Sequence, residues 1–452
     1  MTTTDPGGRN PAPRTQVPQD LAGKAVTVVG LGRFGGGVGV TRWLCAQGAM
    51  VTVSDLAAEE ELDESVLALD GLDVTLHLGG HDETDFTSAD LLVVNPAVPK
   101  DSPFLAAAAQ AGVPRTTEIN LFLERCRAPV VGVTGSVGKS TTTAMIGEIL
   151  GRVRCCHVGG NIGRSLLEEL PMIAPDHVVV LELSSFQLED LPLIGVSPHV
   201  AVVTNLAPNH LDRHVTMDAY VTAKKNIFRF QSASDVLVLN AADVALTAWA
   251  GEAPGRVELF DPTADPFELA VPGAHNQANA QAAWMAARQF GVDRATAAAA
   301  LVGFEGLPHR LQFVAERRGV RYYNDSKCTT PGGAIVAMEA FPPRSAVMIM
   351  GGYDKHVSFE SLGQALANRA KAVIILGQTA DQITSEVEKH RQGPLPALLR
   401  VEDLDSAVVM ATQQAAAGDA VLLSPACASY DMFTNYEHRG EAFVELVTAL
   451  PG

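Results

Sequence analysis

Apolar runs divide the chain into blocks. From Ala25, the run AVTVV, the turn GLGRFGGG, the stretch VGVTRWLCAQ and the run MVTVSD ending at Asp55 predict strand, glycine turn, helix and strand. This is a Rossmann-like βαβ opening. A further strand is expected at Leu91–Pro99 and a helix over Phe104–Ala111, after which the pattern restarts at Pro129. There PVVGVTGSVGKSTTTAMIGEIL predicts a buried strand, a tight loop and a helix, the order an anion site needs because helix N-terminal amides must point at the anion. Buried strands recur at Val178–Leu183 and Val200–Asn205, and alanine-rich helices are expected over Asn276–Phe290 and Ala295–Leu301. After Pro308, strands are expected at Val320–Asn324, Ala346–Met350, Ala372–Leu376 and Ala420–Ser424, with helices between them.

Strands alternating with helices place the chain in the α/β class. At 452 residues it exceeds the roughly 250–300 residues at which a single core stops growing. Three domains are expected: a Rossmann-like one over 21–117, a central P-loop ATPase-like parallel sheet over 118–307, and a C-terminal Rossmann-like doubly wound sheet over 308–452. Residues 1–20, rich in Thr, Pro, Gly and Gln, predict a flexible tail without the apolar segment of a secretory signal.

Composition narrows the partners. Hydrophobic residues make up 47% and charged residues 19%, which suits packed cores. A net charge of −18 argues against a general nucleic-acid or anionic-membrane surface. No apolar run approaches the roughly 20 residues of a membrane-spanning helix, so a cytoplasmic protein is expected. The six cysteines show no CxxC or zinc spacing, and reduced thiols are expected.

The loop Gly135-Ser136-Val137-Gly138-Lys139-Ser140-Thr141 carries the strongest chemistry. The strict P-loop has glycine where this chain has Val133, so the match is to a shorter variant. Lys139 can reach terminal phosphates, the loop amides can line an anion, and Ser140 or Thr141 can offer a hydroxyl to Mg²⁺. Glu182, at a strand end in VVVLEL, suits Mg²⁺ or is simply solvated. His210 in NLAPNHLDRH could ligate a metal or be an ordinary loop histidine, and Lys224 in YVTAKKNIF reads alone as a solvated helix lysine. Gly30, Gly32 and Gly35 satisfy GxGxxG, which taken bare favours NAD.

Nine blocks in order change these weights. TGSVGKSTT, GGNIG, ELSSFQLE, NHLDRH, YVTAK, PGAHNQANAQAA, LPHR, NDSKCTTP and LLSPACASYDMFTNYEHRG resemble the Mur ligases from Ala25 to the C-terminus. The last two blocks resemble the D-glutamate-adding members. The resemblance implies ATP-driven amide synthesis in peptidoglycan construction, through an acyl phosphate on the carboxylate of UDP-N-acetylmuramoyl-L-alanine.

The same resemblance implies roles residue by residue. Lys139, Glu182, His210 and Lys224 would be catalytic, with Ser140, Glu182, His210 and a carbamylated Lys224 holding two Mg²⁺ ions. ATP would also meet Asn276, Asn279, Arg310 and Asp325; helix capping by Asn276 competes with that reading. The UDP substrate would meet Leu31, Gly32, Arg33, Asp55, Leu56, Asn161 and His210, which displaces the NAD reading. Glutamate would meet Lys327, Thr329, Lys355, Ser429 and Tyr436, cations and hydroxyls that suit a dicarboxylate. A monomer is expected. Departures from the family pattern are Val137 in the loop, Asn95-Pro96-Ala97-Val98, and His356 after GGYDK. Val137 is expected to loosen a loop hydrogen bond.

Overall fold

A computed structural model describes residues 17–33, 35–163 and 165–451, so most of the expected N-terminal tail lies outside the described residues. It contains three sheets, each flanked by helices. Two compact units emerge: Met1–Pro262 with Gln281–Ala297, and Thr263–Ala280 with Ala298–Gly452.

The first unit holds two parallel sheets. The N-terminal one comprises β1 (Ala25–Val29), β2 (Met50–Asp55), β3 (Val74–Leu78), β4 (Leu91–Val94) and β5 (Arg115–Thr116), in the order β3-β2-β1-β4-β5. Every pairing is parallel. The central sheet comprises β6 (Val130–Thr134), β7 (Cys156–Gly160), β8 (Val178–Glu182), β9 (Val200–Val203), β10 (Val236–Asn240) and β11 (Arg256–Phe260). Its order is β11-β10-β9-β6-β8-β7, again wholly parallel. β6, β8 and β9 are buried along their length, as valine-rich runs covered on both faces require. The chain leaves β6 for β7 on one side and reaches β9 on the other, so a crevice opens at the carboxyl end of β6.

The second unit carries β12 (Gln312–Arg317), β13 (Val320–Asn324), β14 (Ala346–Met350), β15 (Ala372–Ile375), β16 (Ala397–Arg400) and β17 (Ala420–Leu423). They are ordered β12-β13-β17-β14-β15-β16. Five strands are parallel, and β12 adds an antiparallel edge to β13, making the sheet mixed. Separate apolar cores cover its two faces. The antiparallel edge follows from a tight reversal at Arg318-Gly319, where Gly319 has φ +78°.

The stability of the central sheet rests on strands such as β8, whose Leu181 is fully buried in the core shared by both sheets of the first unit. Leu181→Ala should cost about 2–5 kcal/mol. A lowered urea midpoint of the first unit's tryptophan fluorescence transition is the expected readout.

Candidate active site

The centre of the site is the turn after β6. Gly135 has φ +152°, and a Cβ there would lie 2.0 Å from Thr204 Oγ1, so only glycine lets the chain turn against β9. Gly138, with φ +82°, precedes the helix Lys139–Leu150, whose N-terminus closes the loop. Lys139 Nζ donates to the Gly135 and Ser136 carbonyls, both at 3.1 Å, so the lysine is folded over its own loop. Ser140 is buried in the first turn of the helix.

Val137 does not loosen this loop. Its side chain is exposed, while Asn205 grips its backbone from both sides: Val137 N donates to Asn205 Oδ1 at 2.9 Å, and Asn205 Nδ2 donates to the Val137 carbonyl at 2.9 Å. Thr204 Oγ1 donates to the same carbonyl at 2.7 Å. Ser136 Oγ donates to the Ala207 carbonyl at 2.7 Å and lies 3.1 Å from the Tyr220 hydroxyl. Asn205 and Tyr220 were not singled out in the sequence. The strand-end position of Asn205, after VAVVT, was the available signal.

Glu182 and Lys224 are not solvated. Register pairs Glu182 with Val133 on one side and Gly160 on the other, placing its carboxylate beside the loop. Asn161 Nδ2 donates to Glu182 Oε1 at 3.0 Å, whereas the buried Oε2 finds no hydrogen-bond partner among the described residues. An orphaned carboxylate oxygen is costly in a protein interior, and a hard cation beside it removes that cost. The oxygen donors of Glu182 and Ser140 therefore fit Mg²⁺.

Lys224, on the helix Met217–Arg229, is 1% exposed. Its amine donates to the Gly135 carbonyl at 2.8 Å and Thr134 Oγ1 at 3.3 Å, and lies 4.6 Å from the Tyr220 ring centroid. Burial, reinforced by the charge of Lys139 and opposed by Glu182, pushes its pKa down to about 6. A neutral amine at physiological pH is a nucleophile, which a solvated lysine is not.

A cavity of about 410 Å³ opens between the N-terminal and central sheets. Leu31, Gly32, Arg33, Asn161, Phe186 and Arg213 are among its lining residues. Asp55 and Leu56 are not. The Asp55 carboxylate instead accepts from the amides of Leu31 at 2.8 Å and Gly32 at 3.1 Å, so it shapes the turn, while Leu56 is exposed. Arg33 reaches Glu61 at 2.9 Å. His210, exposed and at φ +54°, stands edge-on to Phe186 with centroids 5.0 Å apart. Arg213 was also missed by sequence reasoning. Its guanidinium donates to the carbonyls of Pro96, Ala97 and Val98 and lies 4.6 Å from the Phe186 ring centroid, fastening the departed Asn95–Val98 turn to the central domain.

In the second unit, Asp325 follows β13 and is nearly buried. Ser424 Oγ donates to it at 2.7 Å and the Leu311 amide at 3.1 Å, while burial raises its pKa to about 6. Lys327 and Tyr436 are brought together, with Nζ 5.1 Å from the ring centroid. Ser429 is buried, Thr329 half-buried, and Lys355 and Arg310 exposed. Arg439, a further residue missed from sequence, stitches these blocks together. It is buried and donates to Ser326 Oγ at 3.0 Å and to the carbonyls of Ser326, Cys427 and Ala428 at 2.8–3.2 Å. Asn276 lies inside the helix Ala274–Ala287 instead of capping it; its amide donates to the Pro272 carbonyl at 2.7 Å and receives Asn279 Nδ2 at 3.3 Å.

Profiles of three domains match the chain: a Mur ligase MurD-like N-terminal domain over residues 24–116, a Mur ligase middle domain over 133–265, and a Mur ligase glutamate ligase domain over 309–427. A protein of Symbiobacterium thermophilum named UDP-N-acetylmuramoylalanine–D-glutamate ligase is 42% identical, covering 94% of this chain and 97% of its own. One of the same name from Roseiflexus sp. is 40% identical over 94% and 99%. Among solved structures, the UDP-N-acetylmuramate-alanine ligase of Thermotoga maritima aligns with TM-score 0.60 at 20% identity, covering 94% of this chain and 99% of that one, which shows a shared fold.

Two outcomes follow from the loop geometry. Asn205→Ala removes both bonds to Val137, each worth about 0.5–1.5 kcal/mol, and should weaken binding of a non-hydrolysable ATP analogue about tenfold by calorimetry. For Lys224, the amine pKa falls from 10.5 to about 6 on folding. Between those values the unfolded chain binds the extra proton, so stability rises with pH there, while below pH 6 the full penalty persists. In CO₂-free buffer, the stability of wild type relative to Lys224→Met should therefore climb from pH 6 towards pH 10; a flat difference in urea midpoints would contradict the buried amine.

Proposed function

This chain belongs to the Mur ligase family, and we propose that it joins D-glutamate to UDP-N-acetylmuramoyl-L-alanine, converting ATP to ADP and phosphate in peptidoglycan precursor synthesis. The observation that carries the reading to these residues is the buried Lys224 amine beside the phosphate loop and the orphaned Glu182 oxygen. A protein that only bound nucleotide would have no use for either. The choice of D-glutamate is supported by the names of the 42% and 40% identical relatives.

In this reading the loop Gly135–Thr141 and Lys139 hold the ATP phosphates, and Lys139 exchanges its own-loop carbonyls for phosphate oxygen. The muramoyl-alanine carboxylate approaches near Asn161, in the cavity lined by Leu31, Gly32 and Arg33. Its oxygen attacks the γ-phosphorus, the bond to the ADP oxygen breaks, and an acyl phosphate forms. The glutamate amine then attacks the acyl carbon, loses a proton, and phosphate leaves from the tetrahedral adduct. Ser140, Glu182, His210 and a carbamylated Lys224 would hold two Mg²⁺ ions, which would supply the positive charge that lets anionic reactants approach. Carbamylation fits the site because the neutral amine can add CO₂ and release a proton, which turns it into a metal-binding carboxylate.

On the second unit, Asn276, Asn279, Arg310 and Asp325 serve ATP. Lys327, Thr329, Lys355, Ser429 and Tyr436 serve glutamate, with Arg439 as a positioning residue that holds their segments together. The domains are assigned to 21–117, 118–307 and 308–452, with 263–280 and 298–307 of the central one belonging to the second compact unit, and the enzyme works as a cytoplasmic monomer. No helix among the described residues is long and apolar enough to cross a membrane.

The test uses muramoyl-alanine substrate labelled with ¹⁸O in its carboxylate. Phosphate released with D-glutamate should carry one label; unlabelled phosphate would exclude the acyl phosphate, and turnover with L-alanine but not D-glutamate would overturn the substrate assignment. Lys224→Ala should lose ligation while keeping nucleotide binding.

A further inference from the structure

The opposite end of the central sheet carries a separate cluster. Cys155 immediately precedes β7, His157 lies within it, and His177 immediately precedes β8; the Cys155 carbonyl accepts from Val178 N at 3.0 Å. Glu169 comes from the short helical segment Leu167–Met172. The ligand atoms of Cys155, His157 and His177 all lie within 4.8 Å of one another. His157 Nε2 is 3.1 Å from His177 Nδ1 and 3.7 Å from Cys155 Sγ. On its other side, His157 Nδ1 lies 2.9 Å from Glu169 Oε2.

Electrostatics makes this arrangement specific. Glu169 is an acceptor, so His157 Nδ1 carries the proton and, in the neutral ring, Nε2 is left as a lone pair. The Ala174 amide donates to His177 Nδ1 over a long 3.3 Å, so a cation would take that nitrogen's single lone pair in place of the amide. The 3.1 Å separation of the two ring nitrogens is held either by a proton on one of them or by a cation between them. A tetrahedral zinc-sized ion, with bonds of about 2.0 Å to nitrogen and 2.3 Å to sulfur, holds its ligands about 3.3 Å apart for N···N and about 3.5 Å for N···S. The N···N spacing of 3.1 Å and the N···S spacing of 3.7 Å each lie about 0.2 Å from those values. Glu169 stands where a metal-bound histidine keeps its orienting carboxylate.

We propose that Cys155, His157 and His177 form a site for a borderline-soft divalent cation of the Zn²⁺ class, with Glu169 orienting His157 and the fourth position open to water. The thiolate and two imidazoles select against Mg²⁺, which takes oxygen ligands. Metal binding releases the Cys155 thiol proton to solvent. From this end β8 runs about 13 Å to Glu182, at about 3.3 Å per residue. The site is therefore separate from the phosphate loop, and its role is structural: it fixes the starts of the two strands whose far ends present Asn161 and Glu182.

The test is a Co²⁺ titration of chelator-stripped full-length protein in excess Mg²⁺, which occupies the oxygen-rich loop site. One equivalent should develop a thiolate-to-cobalt charge-transfer band, displaced by Zn²⁺, and Zn²⁺ should raise the melting temperature. Cys155→Ala should abolish the band and His177→Ala the binding, with ligase turnover within about twofold of wild type serving as the check on folding. Glu169→Gln should lower affinity about 10–100-fold. Absence of the band in active wild type, or its persistence in Cys155→Ala, would overturn the site and leave a proton shared between the histidines.

Discussion

The close approach of Gly135 to Thr204 governs the central domain. A chain leaving β6 must turn within van der Waals reach of β9, and a side chain at residue 135 has no room. Once glycine permits that turn, its carbonyl points towards both Lys139 and Lys224. One amine comes from the helix that follows the loop and the other from the buried face of the helix Met217–Arg229. The loop is therefore held by lysines on two faces before any phosphate arrives.

The ends of four neighbouring strands converge on this turn. β7 brings Asn161, β8 brings Glu182, β6 brings the loop, and β9 brings Thr204 and Asn205. Parallel pairing makes the convergence possible, since only then do all four carboxyl ends lie on one edge. The Asn205 clamp explains why valine is tolerated at position 137: the loop's hydrogen bonds are made by its backbone, and the side chain stands in solvent.

Much of this was legible in the sequence. Most strands buried on both faces announced themselves as apolar runs, as at β6, β8, β9, β14 and β17, although the similarly buried run VLVLN of β10 was missed. The strands β3, β7, β11, β12 and β16 did not, because sheet-edge position leaves them half-exposed and their sequences, such as CHVGG and RVELF, carry polar residues or glycine. The ordered motifs identified the phosphate loop, but burial of Lys224 was invisible, since a lysine in a helix reads as solvated until its neighbours are known. Arg213, Arg439 and Asn205 escaped for a different reason. Each grips backbone atoms, and a carbonyl leaves no mark in the identity of the residue that presents it.

The Asp55 carboxylate bears on how nucleotide motifs are read. Glycine spacing reports the shape of a turn, yet a turn binds an anion only if its amides are available. At Leu31 and Gly32 they already serve an anion belonging to the protein itself. The first domain thus keeps the glycine spacing of a dinucleotide turn while its own carboxylate satisfies those two amides, so a bound ligand must be recognised by other groups of the turn.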